Sequence, residues 1–423
     1  MKVRKLISIC LAVAALAGCS SKKPEQSLEK PPEALPAGSF QQAPEEYSLF
    51  YESGAYSLGL YEPAEGCYIG GYVLSNKSIN FEMDEMDSKA GKKHAVSIYT
   101  LKAGNPFPDT WVLSCIAQRR TPLIAIKPQN SYNPYNKALI SELAEKFGEF
   151  YVPIFVEFFP EPLSYGSDSE AYVEFFRYAR EEFRNKASNA AFVWSVDASG
   201  VADSERFYPG DQWVDWVGLR SYERIENGSY ASDTLKALDS IYYAYQRFKP
   251  IMISQLAVSF YTSRDHVYRT QMAADELKRI YGAVADSYPR VKLIAYMDVD
   301  EMAVNKTQPI TDNFTVTSNV KVSAAYGEAI SNPHFLESTD SASFGEERLQ
   351  VLKSPFPAYR IGESIYASEL SFLYDLSAKG LANPKTIEGE TFYDLNYFAK
   401  KLKRNVEVDE NLKKVLVESP AEG

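Results

Sequence analysis

The chain has 423 residues, of which 45% are hydrophobic and 24% charged, enough apolar content to bury a core and to exclude a wholly disordered protein. A formal charge of -11 excludes the basic face that a nucleic-acid binder needs. The three histidines, His94, His266 and His334, lie far apart, which argues against a histidine-rich zinc centre, and no metal or cofactor is expected. Aromatic residues reach 13%, with 30 Tyr and 23 Phe; most are assigned to core packing, and the rest could offer flat stacking surfaces.

The first segment reads as a targeting device. Lys2, Arg4 and Lys5 form a basic start, and residues 6–17 are apolar but shorter than the about 20 residues of a spanning helix. Leu16, Ala17, Gly18 and Cys19 follow. This pattern resembles the lipobox of bacterial lipoproteins. The resemblance implies a signal peptide over 1–18, lipidation (a palmitate-type anchor) at Cys19, and a location on the extracytoplasmic face of the cell membrane. Loss of 1–18 would take the net charge to -14, so membrane contact would run through the lipid alone. Residues 19–45 are Ser, Lys, Pro, Glu and Gln with few apolar side chains, a solvated tether. Of the four cysteines, Cys10 leaves with the signal; Cys67 and Cys115 are either one disulfide or two free thiols.

From residue 66 onward, short apolar runs recur at 67–73, 94–99, 122–126, 151–156, 191–196, 213–219, 250–254 and 291–296. Continuous runs of this kind mark strands buried on both faces. Helical spacing of apolar residues fills 136–147, 169–186, 235–248 and 267–284 between them. Eight such strands alternating with helices predict an α/β fold, a (β/α)8 TIM barrel over 63–331, with a doubly wound open sheet as the second choice. Trp194 and Trp216 lie inside strands and are assigned to the core. In such barrels working residues follow the C-terminal ends of the strands. Here these are Lys127, Glu157, Glu161, Asp197, Arg220, Tyr222, Gln255, Asp298 and Asp300; the last two are also natural turn caps.

Several stretches, taken together and in order, resemble glycoside hydrolase family 26, the retaining β-mannanase family. They include residues 66–73, 122–128 and 153–161, then 192–195 and 208–219 as the most specific pieces, and 249–253 before the nucleophile. The resemblance implies two carboxyl groups about 5–5.5 Å apart, an acid/base and a nucleophile. The acid/base position falls on Glu161 and the nucleophile on Gln255. A carboxamide cannot supply the attacking anion. Tyr72, Glu157, Tyr222, Tyr296 and Asp298 fall at positions implied to hold substrate. Other departures are Pro160 for a histidine, Glu157 for an arginine, Lys127 for a glutamate and Tyr296 for a tryptophan. The Lys127 and Glu157 changes suggest an inward ion pair of reversed polarity between neighbouring strands.

Three functional readings remain. The first is a glycan-binding barrel with hydrolysis weak or lost, whose partner is a mannan-like or other β-glycan polysaccharide. The second is an active hydrolase using Glu161 as acid and Asp298 or Glu157 as base. The third is a non-catalytic envelope scaffold.

Residues 332–360 turn polar and Pro/Ser-rich and read as a linker. A small α+β domain is expected over 361–418, with a strand at 390–395, a helix at 396–403 and a hairpin at 405–417. It resembles the stalk-like domain named after the N-terminus of copper amine oxidases, without implying copper, since no His or Cys lies in it. Gly362 and Gly389 begin two similar five-residue stretches, a candidate half-repeat.

Overall fold

The computed structural model describes residues 44–129, 134–166, 168–304, 307–340, 344–376, 384–387 and 389–419. The signal segment, Cys19 and nearly all of the tether lie outside these residues. Eight parallel strands form the main sheet: β1 (Cys67–Tyr72), β2 (Val96–Lys102), β3 (Thr121–Lys127), β4 (Ile154–Phe158), β5 (Ala190–Asp197), β6 (Trp216–Glu223), β7 (Ile251–Val258) and β8 (Val291–Met297). The sheet closes because β8 pairs with β1, from Leu293 opposite Tyr68 to Met297 opposite Tyr72. The fold is therefore a TIM barrel.

Alternation along each strand explains why the apolar runs are continuous. Leu123, Phe155, Val193, Trp216, Met252 and Leu293 pack together inside the barrel. Their neighbours Ile124, Val156, Trp194, Val217, Ile253 and Ile294 pack outward against the helices. Both Trp194 and Trp216 are fully buried. The Trp216 indole donates to the Leu60 carbonyl at 2.7 Å, closing the bottom of the barrel. Gly218 on β6 permits the close approach of β5: a Cβ there would sit 2.7 Å from the Ser195 Cβ.

The outer layer comprises α1 (Met83–Ala90), α2 (Asp109–Ala117), α3 (Lys137–Gly148), α4 (Ser169–Lys186), α5 (Thr234–Tyr245), α6 (Thr270–Ser287) and α7 (Val320–Ile330). Three short 3-10 turns, Ala198–Asp203, Glu205–Phe207 and Asp211–Trp213, replace the helix between β5 and β6. Helix α6 starts three residues later than the periodicity suggests. Asp265 accepts the Val267 amide at 3.1 Å, and Tyr268 bridges to Tyr261, so 267–269 stay in the loop. Cys67 and Cys115 are buried free thiols. Burial pushes the Cys115 thiol up to about 12, which makes it inert as a nucleophile.

A second sheet lies at the bottom of the barrel. Its strands run in the order Lys385–Ile387, Glu390–Asp394, Ser364–Ser368, Ala358–Ile361, Glu45–Ser57, Lys414–Val417 and Val406–Asp409, and Glu347–Lys353 also pairs with Glu45–Ser57. The segment read as a linker thus carries the strands Glu347–Lys353 and Ala358–Ile361, and the centre of the sheet comes from Glu45–Ser57, ahead of the barrel. The reason is burial: Tyr47, Leu49 and Tyr51 on that strand join Leu352, Ile365, Phe398 and Val415 in one core. The strand at 390–394, the helix Leu395–Lys401 and the hairpin Val406–Asp409/Lys414–Val417 form near their expected places. Gly362 and Gly389 both have positive φ, +64° and +87°, and each immediately precedes or lies in the turn before a strand. The sheet docks on the end of α5, where Gln246 exchanges two hydrogen bonds with the Lys353 backbone at 2.8 and 2.9 Å. Among the described residues no helix is long and apolar enough to cross a membrane.

A chain lacking residues 44–57 should lose the protease resistance of 347–417 while the barrel keeps its own unfolding transition. Limited proteolysis with mass spectrometry and thermal unfolding check this. Unchanged protection of 347–417 would mean that the central strand is dispensable.

Candidate active site

The site forms where β3 to β7 end. Three of its residues share a rung: Asp197 is in register with Arg220, and Arg220 with Gln255. Glu157 lies lower, opposite Ala125 and Val193. The register between β6 and β7 slips after Ile253, so Ser254 is an extra residue, a bulge. The bulge lets two successive side chains, Ser254 and Gln255, both reach Glu157. A smooth strand would send one of them outward. Glu161 is delivered differently. After β4 the chain passes through Phe159 (φ +43°) and Glu161 (φ +63°), both left-handed. Conformations of this kind cost on the order of 1 kcal/mol each and cluster at functional sites. The Tyr172 hydroxyl donates to the Phe159 carbonyl at 3.1 Å and the Tyr165 hydroxyl to that of Pro160 at 2.5 Å, holding the turn.

These side chains make one network. Glu157, fully buried, accepts from the Ser254 hydroxyl at 2.6 Å and from the Gln255 Nε2 at 3.1 Å. The Gln255 Oε1 accepts from the Arg220 guanidinium and the Tyr222 hydroxyl, each at 2.9 Å. The donors on one side and the carboxylate on the other fix which way the amide points. The Arg220 guanidinium pairs with Glu161, lies 3.7 Å from Asp197 and 4.0 Å from Glu157. Lys127 lies 3.8 Å from Glu161.

Accessibility divides the network in two. Arg220 and Gln255 are 4% and 2% exposed, so the floor is closed to water. The side chains of Lys127, Asp197 and Glu161 form the rim at 40%, 31% and 23%. Burial, then the Glu157 charge, pushes Asp197 up to about 6 against the opposing pull of Lys127. Burial, then Arg220, lowers Lys127.

The expected Lys127–Glu157 pair does not form. Glu157 is level with Ala125, two residues below Lys127 on β3, so the lysine reaches the upper layer and Glu161 instead. Arg220, on β6, takes the role of cation beside Glu157. Two further candidates lie in the interior. Tyr296 is fully buried; its hydroxyl donates to the Phe314 carbonyl at 2.8 Å and accepts from the Val258 amide at 3.2 Å. Asp298 is fully buried and accepts from Asn76 at 2.6 Å, the Val316 amide at 2.7 Å and the Thr317 hydroxyl at 2.8 Å. Both brace the loop after β8. Asp300 caps a turn, accepting from the Met302 amide at 3.0 Å. Tyr72 is half-buried, its hydroxyl 3.0 Å from that of Ser75. Ser254 is the member of this network that sequence reasoning missed, because a bulge leaves no mark in an apolar strand run. Among the described residues no cluster of three or more His, Cys, Asp or Glu side chains is arranged to hold a metal ion.

Residues 140–249 match the model of Glycosyl hydrolase family 26. A beta-1,3-xylanase of a Vibrio species is 22% identical over 283 residues, 60% of this chain and 58% of the xylanase. The chain thus spans less than two thirds of that relative. Among solved structures, GH26C of a Muricauda species superposes with a TM-score of 0.50 at 14% identity, covering 66% of this chain and 89% of that one. A GH26 beta-mannanase from Bacteroides ovatus has a TM-score of 0.48 at 15% identity, covering 64% and 90%. The chain therefore shares the barrel fold and, over residues 140–249, is similar to glycoside hydrolase family 26. The matched stretch includes Glu161 and Arg220 and stops short of Gln255. Part of it is structural: Asp215 accepts the Phe192 amide at 2.7 Å and pairs with Arg180 at 2.8 Å, locking β5 to α4 and the turn before β6.

Removing the guanidinium should expose its importance. Arg220→Met leaves Glu157 buried without a cation and should cost about 3–5 kcal/mol in denaturant unfolding. Adding Glu157→Gln should recover part of that loss. A second test is pH. A carboxyl raised in the folded state contributes stability at low pH that is lost as pH rises through its folded value. Wild type should therefore lose about 1 kcal/mol relative to Asp197→Asn between pH 4 and 6.5, a figure discounted for partial exposure. Parallel pH profiles of the two proteins would refute the assignment.

Proposed function

We propose that this chain is a lipid-anchored, family-26-like barrel that binds polysaccharide and does not cleave it by the retaining route. The reading rests on one observation: Gln255, at the nucleophile position, is buried and tied on both amide atoms to Glu157, Arg220 and Tyr222. Retaining hydrolysis needs an anion free to attack and an acid free to donate. The carboxylate nearest Gln255 is Glu157, fully buried, with both oxygens engaged by Ser254 and Gln255. The acid position, Glu161, is engaged by Arg220 and Lys127. The active-hydrolase reading with Asp298 or Glu157 as base is the weaker one, since both are fully buried. The scaffold reading draws on the same closed floor. The lipobox ending at Cys19 supports anchoring on the extracytoplasmic face of the cell membrane.

The amide is also matched to its neighbour. A carboxylate at 255 would keep the Arg220 and Tyr222 donors but lose the Nε2 bond to Glu157 and set two carboxylates together, where like charges repel. Gln255→Glu should therefore lower the melting temperature and restore no turnover. The decisive measurement is reducing-sugar release from mannans and β-1,3-xylans by wild type and Glu161→Gln. No release by either is expected. Wild-type turnover that Glu161→Gln abolishes would overturn the reading. Intact-mass analysis of membrane-extracted protein should show a diacylglyceryl adduct, lost in Cys19→Ala.

A further inference from the structure

The loop between β7 and α6 carries an aromatic group that the network described above does not use. Tyr268 is 66% exposed. Its ring leans on Tyr261 at 4.6 Å between centroids and lies nearly parallel to buried Phe260 at 6.2 Å. Scattered exposed aromatics need no explanation, but this one is built in. The Arg269 amide donates to the Phe260 carbonyl at 2.7 Å, and the Arg269 guanidinium pairs with Asp265 at 2.6 Å. The Tyr261 hydroxyl is 2.9 Å from His266 Nδ1, and Tyr261 pairs with Asn313 of the loop after β8. The ring is thus held before any ligand arrives, which lowers the entropic cost of binding.

The same loop lines a cavity of about 320 Å³ through Arg264, facing Glu226, Gln308 and Ile310. Its charges are already matched. Arg264 lies 3.5 Å from Glu226, and Arg224 pairs with Glu301 at 2.6 Å and Asp312 at 3.0 Å. With two carboxylates, Glu226 and Asp312, against two guanidiniums, Arg224 and Arg264, the lining carries no net charge and offers both donors and acceptors to neutral hydroxyl groups.

We infer that Tyr268 and the Arg264–Glu226–Gln308 cavity, which share the β7–α6 loop, form a binding subsite for a neutral polysaccharide, at the mouth of the barrel and away from the closed floor. A pyranose C–H face would stack on the Tyr268 ring while its hydroxyls reach the cavity. This deepens the glycan-binding reading and rests on it. It also explains how a barrel with a buried, self-paired centre could still hold a sugar chain.

The test uses the full chain and measures binding by affinity electrophoresis in neutral β-mannan, β-1,3-xylan and mixed-linkage β-glucan, and in anionic polygalacturonate. Wild type should be retarded by at least one neutral polymer. Tyr268→Ala should weaken that binding about tenfold, the scale of about 1.4 kcal/mol for a lost aromatic contact. Tyr268→Phe should keep it, and Arg264→Ala should weaken it. Tyr151→Ala, at a tyrosine 98% exposed just ahead of β4 at the opposite end of the barrel, should leave it unchanged. Neutral-glycan binding that survives Tyr268→Ala overturns the subsite and leaves the glycan-binding reading standing. Binding to polygalacturonate alone overturns the choice of a neutral ligand. No binding to any polymer overturns both.

Discussion

The barrel's upper end is organised around one buried cation. Arg220 stands at the centre of a ring of groups from β4, β5 and β7, paired with Glu161, close to Asp197 and Glu157, and donating to Gln255. A guanidinium 4% exposed requires several acceptors, because an unpaired buried charge is strongly unfavourable. Each neighbour can be read from that requirement. Glu157 supplies charge from below, Glu161 from above, and the Gln255 oxygen supplies a neutral acceptor between them.

This arrangement makes Gln255 and Glu157 parts of one network. Taken together they are complementary, since the amide donates to the carboxylate and accepts from the arginine. The bulge at Ser254 and the left-handed turn through Phe159 and Glu161 aim the remaining groups at the same spot. The chemistry available there is ion pairing and hydrogen bonding, with no free anion on the floor. The exposed polar groups and aromatic surface lie outside it, at the rim and at the β7–α6 loop.

The second sheet has its own logic. It contains strands from both ends of the described chain, and the strand Glu45–Ser57 pairs with three others. It packs at the bottom of the barrel, near Gln246 and Arg290, where Arg290 also covers the Tyr56 ring at 4.1 Å. The network around Arg220 lies at the other end. The described chain therefore begins on the side away from the site.

What the amino-acid sequence determined alone was the barrel. Apolar runs on both faces of eight segments leave few ways to bury themselves, and the order of motifs around Glu161 and 208–219 placed the working end of each strand. Gln255 was also legible, because residue identity is a chemical fact independent of geometry. The tertiary structure decided which side chains meet. Lys127 and Glu157 seemed partners by strand adjacency, yet register set them two residues apart and gave Glu157 to Arg220 across the barrel. Tyr296 and Asp298 fell at promising positions, but the loop after β8 folds over them. The strand Glu45–Ser57 was invisible as a member of the second sheet, since its partners lie some 300 residues away in the chain. Local patterns report burial and period; register, bulges and long-range pairing depend on closure of the whole fold.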